Sequence, residues 1–163
     1  MQAAKLRGKT GGGRNESLRL LLVEDTFDMA EAIMIRLDRS GIACDLAKSL
    51  EEARACVNVQ HYDVIVLDIN LPDGLGTELL KEIRSRGERT PVLMLTARSS
   101  RSDEEIAYYS GVDEYVGKPF DREQLVLRVN AMLEHGTRIA PLPTSSDGTT
   151  QSDETPGRRV ARL

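Results

Sequence analysis

Short continuous apolar blocks alternate with amphipathic stretches from about Ser17 to Gly136. Leu20-Leu21-Leu22-Val23, Val64-Ile65-Val66-Leu67 and Val92-Leu93-Met94-Leu95 are apolar without interruption and of strand length. Such blocks suit parallel strands covered on both faces. Ala43 to Ala47 and Glu114 to Val116 are weaker strand candidates and belong nearer the sheet edges. Between them, Ala30, Ile33, Met34 and Leu37 recur at helical spacing, as do Leu79, Leu80 and Ile83, and then Leu125, Val129 and Met132. These stripes read as core packing. Ser49 with Glu52, Ser102 with Glu105 and Asp121 with Gln124 have the spacing of helix-starting capping boxes. Gly41, Gly87, Gly111 and Gly136 stand where helices should end in the left-handed conformation.

The order is strand then helix, repeated about five times. This predicts a single α/β domain: a five-stranded parallel sheet, doubly wound, with helices on both faces and right-handed crossovers. Ligands in such folds bind beyond the carboxyl ends of the strands. Residues 1–16 are basic and glycine-rich without periodicity, and read as a flexible lead-in. Residues 137–163, with Pro141-Leu142-Pro143 and many Thr, Ser and Gly residues, cannot bury a core and read as a linker or disordered tail.

Composition narrows the function classes. The 163 residues are 40% hydrophobic and 29% charged, and only 4% are aromatic with no Trp, so the core must be aliphatic. The net charge of −4 argues against nucleic-acid binding by this segment alone. Cys44 and Cys56 lack metal-like spacing and read as small buried thiols in a reducing compartment. His61 and His135 share no ligand cluster. No secretory signal and no apolar run of membrane-spanning length is present. The expected location is the cytoplasm.

The strand ends carry the chemistry. The first strand ends in Glu24-Asp25, the third in Asp68-Ile69-Asn70 and the fourth in Thr96-Ala97; the fifth is followed by Lys118-Pro119-Phe120. In a parallel sheet these groups meet at one edge. Carboxylates so close repel one another unless a cation is present. Lys118 supplies one positive charge and a divalent ion would supply the rest. Hard oxygen ligands with few protein groups favour Mg²⁺. A metal, a lysine and a hydroxyl around one carboxylate make a receptor for a phosphoryl group, with that carboxylate as the nucleophile.

Four stretches together resemble the receiver domain of two-component response regulators. They are Leu21-Leu22-Val23-Glu24-Asp25, Val66 to Gly76 (including Asp68-Ile69-Asn70-Leu71-Pro72-Asp73-Gly74), Leu95-Thr96-Ala97, and Asp113-Glu114-Tyr115-Val116-Gly117-Lys118-Pro119-Phe120. The resemblance spans roughly Ser17 to Glu134, within a receiver domain expected over residues 17–136, and implies a CheY-like fold. It implies that Asp68 is the phospho-acceptor, and that Asp25, Asp68 and the backbone carbonyl of Asn70 bind Mg²⁺, with Glu24 acting through a water. It implies that Thr96 donates to the phosphoryl group, that Lys118 pairs with Asp68 or the phosphate, and that Tyr115 is a switch aromatic turning inward as Thr96 moves. A cis bond before Pro119 is also implied. The side chain of Asn70 and Arg98 are expected to tune the lifetime of the phosphorylated state.

The closing segment is most similar to OmpR/PhoB-type regulators, which join a receiver to a winged-helix DNA-binding domain and dimerise through the fourth helix, fifth strand and fifth helix. Asp113 and Arg128 are the candidate salt-bridge members of that face. Glu104 to Tyr109 departs from the pattern, lacking the expected basic residue. The implied partners are a sensor histidine kinase or phosphotransfer protein, a second copy of the chain, and DNA only through an output domain outside these residues. Gly157 to Leu163 is either the start of such a domain or a plain basic tail. Two alternatives compete. An aspartate-nucleophile phosphatase would need an acid two residues after the nucleophile, where Asn70 stands. A receiver working without phosphate would not need the full residue set. No enzymatic turnover is expected as the chain's purpose.

Overall fold

The computed structural model describes residues 17–97 and 111–135. The lead-in, Arg98, the Ser102–Glu105 capping box, the Glu104–Tyr109 segment, Gly136 and the tail through Gly157–Leu163 lie outside the described residues.

Five strands form one wholly parallel sheet: β1 (Arg19–Val23), β2 (Ala43–Ala47), β3 (Val64–Asp68), β6 (Val92–Ala97) and β7 (Glu114–Lys118), in the spatial order β2-β1-β3-β6-β7. The most apolar blocks, β1, β3 and β6, take the three interior places, because only there are both faces covered. The two weaker candidates sit at the edges, as their half-polar composition requires. Helices α1 (Phe27–Arg39), α2 (Leu50–Val59), α3 (Gly76–Ser85) and α4 (Arg122–His135) complete the described fold. A two-residue ladder, β4 (Asn70–Leu71) with β5 (Gly74–Leu75), was not visible in the pattern, since elements that short leave no periodicity.

Alternation along each strand divides the core in two. Leu21, Val23, Ile65, Leu67, Val92 and Met94 face α2 and α3. Leu20, Leu22, Val64, Val66, Leu93 and Leu95 face α1 and α4. The predicted stripes Ala30, Ile33 and Leu37, Leu79, Leu80 and Ile83, and Leu125, Val129 and Met132 are all buried, while Met34 is only partly so. Gly41, Gly87 and Gly111 have the positive φ expected of them.

The caps differ in detail from the sequence expectation. Ser49 Oγ accepts from the Glu52 amide at 3.1 Å, but Glu52 reaches back to the Lys48 amide, at 2.7 Å, rather than to that of Ser49. Asp121 accepts from the Glu123 amide at 2.8 Å. Cys44 and Cys56 are free thiols and half-buried rather than fully buried; burial pushes the Cys44 thiol up to about 12. No described helix is long and apolar enough to cross a membrane.

Candidate functional site

Parallel pairing brings the carboxyl ends of β1, β3, β6 and β7 to one edge, since Val23 lies beside Leu67, Asp68 beside Leu95, and Ala97 beside Lys118. Glu24 follows β1 and is fully buried, Asp68 ends β3 at 4% exposure, and Thr96 on β6 is 1% exposed. Asp25 is exposed. One oxygen each of Glu24, Asp25 and Asp68 fall within 4.8 Å of one another.

Lys118 holds the buried pair together. Its Nζ lies 2.7 Å from Asp68 Oδ2 and 3.0 Å from Glu24 Oε2. The remaining oxygens of both acids are engaged by amides: Thr26 N–H donates to Glu24 Oε1 at 3.1 Å, and Asn70 N–H to Asp68 Oδ1 at 3.1 Å. Burial pushes Glu24 up, but the bonds from Lys118 and Thr26 outweigh it and Glu24 titrates below its ordinary value. Asp68 moves the other way. Burial and the neighbouring Glu24 charge raise it despite Lys118 and the Asn70 amide. Burial would lower Lys118, yet its two carboxylates hold its pKa above the usual value. Three carboxylates against one ammonium leave an excess of two negative charges, the charge of one divalent cation. The donors are all hard oxygens, as Mg²⁺ prefers. The residues therefore fit such an ion.

Backbone geometry keeps the β3 end open and tight. Gly76 N–H donates to the Ile69 carbonyl at 2.7 Å. A Cβ on Gly76 would overlap the Asp68 carbonyl oxygen and stand 3.1 Å from both the Asp68 carbonyl carbon and Leu67 Cγ. Only glycine fits there. The Lys118–Pro119 bond is cis. Thr96 Oγ1 donates to the Ala97 carbonyl at 3.1 Å, so its hydroxyl is engaged locally. Tyr115 is partly buried against the α2–α3 side of the core.

Of the residues expected from sequence, Glu24, Asp25, Asp68, Asn70 and Lys118 are brought together, with Thr96 at the adjoining strand end. Asp113 and Arg128 are not in the site. Asp113 Oδ2 binds Arg84 Nη2 at 2.8 Å, and the Val92 amide at 2.8 Å. Arg128 pairs with Glu114. The second oxygen of Glu114 is buried without a partner among the described residues. Sequence reasoning did not single out Thr26, Arg84 or Asp73 as partners. Their contacts are made by a backbone amide or across long chain separations, which leave no local signal.

A family model described as the response regulator receiver domain matches residues 20–130. The chain belongs to that family. The receiver domain is 38% identical over 120 residues to the two-component response regulator PhoP of Pseudomonas aeruginosa, an alignment covering 74% of this chain and 53% of that protein. It thus spans about half the length of the curated relatives it matches. Among solved structures it resembles DrrB, a Thermotoga maritima OmpR/PhoB homologue, with a TM-score of 0.68 and 28% identity over 76% of this chain and 55% of DrrB. It also resembles the receiver domain of the Pseudomonas aeruginosa sensor histidine kinase PA1611, with a TM-score of 0.66 and 30% identity over 73% of this chain and 99% of that one; that structure has a magnesium ion coordinated in its active-site cleft. The relatives are signalling proteins of the two-component class, and the five-stranded CheY-like architecture is theirs.

Proposed function

We propose that Asp68 is the phospho-acceptor, taking a phosphoryl group from a phosphohistidine of a sensor histidine kinase or phosphotransfer protein in the cytoplasm. The observation that carries the reading is the ammonium of Lys118 shared by two buried acids, 2.7 Å from Asp68 and 3.0 Å from Glu24, with Asp25 beside them. An Asp68 oxygen attacks phosphorus, the P–N bond breaks, and the imidazole leaves with its electron pair. Asp25, Asp68 and the Asn70 carbonyl would hold Mg²⁺, with Glu24 acting through a water. The ion, when bound, neutralises charge on the transferring phosphoryl oxygens. Lys118 balances the charge on the acyl phosphate. Thr96 exchanges its bond to the Ala97 carbonyl for one to a phosphoryl oxygen. Tyr115 then moves into the space Thr96 leaves, which couples a local charge event to a packing change.

The signal passes to a DNA-binding output domain beyond these residues, as in OmpR/PhoB-type regulators. Asp113 and Arg128 contribute to a homodimer face, beside or in place of their in-chain partners Arg84 and Glu114. Slow hydrolysis of the acyl phosphate resets the switch, and multiple turnover is not its role.

Titration with beryllofluoride and Mg²⁺ tests the acceptor. Binding should require both components and vanish in Asp68→Asn. Binding that survives this substitution would remove Asp68 from the role. Light scattering with and without beryllofluoride tests the dimer.

A further inference from the structure

Asp73 lies in the loop that follows the acceptor strand, between the two halves of the short ladder formed by β4 and β5. Its carboxylate reaches out of that loop to the first turn of α2. Oδ1 accepts from Leu50 N–H at 2.8 Å and Oδ2 from Glu51 N–H at 3.0 Å. These are amides that a helix leaves unpaired at its start. Ser49 already serves as the local cap by accepting from Glu52 N–H at 3.1 Å. Asp73 therefore adds a second cap from a segment 22 and 23 residues away. A contact across that chain distance fixes the loop as firmly as it fixes the helix.

What the loop carries is the acceptor environment. From Asp73 the ladder leads directly back to Asn70, which pairs with Leu75, while Leu71 pairs with Gly74. Asn70 N–H donates to Asp68 Oδ1 at 3.1 Å. The next residue in the turn, Gly74, has φ +151, and a Cβ there would stand 2.8 Å from Leu50 Cδ1, so the loop is pressed against the same helical turn that Asp73 grips. The other anchor of the loop is Glu78 of α3, whose Oε1 accepts from Leu75 N–H at 3.2 Å. Arg54 ties α2 to α3 beside this loop, 3.6 Å from Glu78 and 2.7 Å from Glu82.

We propose that Asp73 is a positioning residue for the acceptor site: by tethering the β4–β5 loop to the start of α2, it holds Asn70 against Asp68. This rests on the reading of Asp68 as acceptor with a cation beside it. Asp73 touches neither the phosphoryl group nor the ion, and acts through Asn70.

The test uses the full chain with Asp73→Ala and Asp73→Asn. Mg²⁺ alone and beryllofluoride with Mg²⁺ are the probes, read by titration and by the amide NMR signals of Ile69 and Asn70. Asp73→Ala should weaken Mg²⁺ binding roughly tenfold, the low end of what support to a metal ligand is worth. It should also shift the Asn70 amide signal before any ion is added. Asp73→Asn keeps one acceptor oxygen and should recover most of the affinity. A lost helix cap alone would lower the melting temperature and leave affinity within twofold of wild type; that outcome overturns the proposal, as does an Asn70 signal unmoved in both variants. If Asp73→Ala does not fold, Asp73→Asn decides by the same signal and a smaller loss of affinity. Wild-type chain that binds neither probe would refute the parent reading instead, and the Asn70 signal in Asp73→Asn would still judge the tether.

Discussion

Replacing Gly76 by alanine should be among the most damaging single-methyl changes available to this receiver domain. The added carbon overlaps the Asp68 carbonyl oxygen and stands 3.1 Å from Leu67 Cγ and from the Asp68 carbonyl carbon. Two of these obstacles are backbone and cannot rotate away. Overpacking costs about 1–3 kcal/mol when side chains can adjust, so an obstacle in the backbone of a central strand puts the expected loss near the top, about 3 kcal/mol. With an unfolding entropy of roughly 2 cal/mol/K per residue over a body of about 120 residues, that loss lowers the melting temperature by about 12 °C. Any relief must displace Asp68 itself, so Mg²⁺ affinity should fall with stability. Gly41→Ala is the internal control. Gly41 has φ +75 but nothing within 4 Å of a Cβ, so only conformational strain of about 1 kcal/mol applies. Thermal melts by circular dichroism and Mg²⁺ titrations on both variants make the comparison. A Gly76→Ala protein that melts no lower than Gly41→Ala, or that binds Mg²⁺ as wild type does, would refute the close-approach argument.

Lys118→Met should destabilise the apo domain by about 3 kcal/mol, because it leaves Glu24 and Asp68 ionised and unneutralised, and added Mg²⁺ should restore part of the loss in urea melts. The same variant should reverse the Glu24 contribution to the pH dependence of stability. In wild type the folded Glu24 value is lowered, so its contribution is present above the ordinary glutamate range and lost as pH falls through the folded value; without Lys118, burial dominates and acidification should stabilise. Arg84→Ala should cost about 3 kcal/mol, since the guanidinium bonds the Gly111, Glu88 and Thr90 carbonyls and the Asp113 carboxylate. Arg84→Lys should recover less than half in urea midpoints, because an ammonium cannot span that fork. Asp45, in the middle of edge strand β2, lies between Arg19 Nε at 3.1 Å and Tyr62 Oη at 2.9 Å. Burial opposes its ionisation, but these bonds hold it below the ordinary carboxylate range. Its contribution should therefore be complete above that range and fade as pH falls through its folded value. Asp45→Asn should flatten this acid limb of the stability profile, and an unchanged limb would contradict the pairing.

Continuous apolar blocks such as Val64 to Leu67 declared interior strands because a parallel sheet covers both faces, and the interior of the sheet followed directly. The site was legible for the same reason. Once the strands are parallel, residues after their carboxyl ends must meet, so the strand order alone brings Glu24, Asp25, Asp68 and Lys118 to one edge. The illegible parts involve partners chosen across the chain. Asp113 binds Arg84 and Arg128 binds Glu114 because of how α3, β7 and α4 pack, and nothing in the residues around Asp113 announces that choice. The cap on α2 shows the same limit from two sides. The serine at its start was readable, whereas the aspartate arriving from the acceptor loop was not.

The ammonium that reconciles Glu24 with Asp68 is carried by the last residue of β7, a strand paired in the described sheet only with β6. Segments with fewer packed neighbours open at lower free energy than the core of a domain. Fraying of this one strand would strip the cation from two acids that the still-folded interior continues to hold side by side. Readiness to receive a signal would then be lost at the margin of the sheet, like a blown fuse, while most of the protein is still folded.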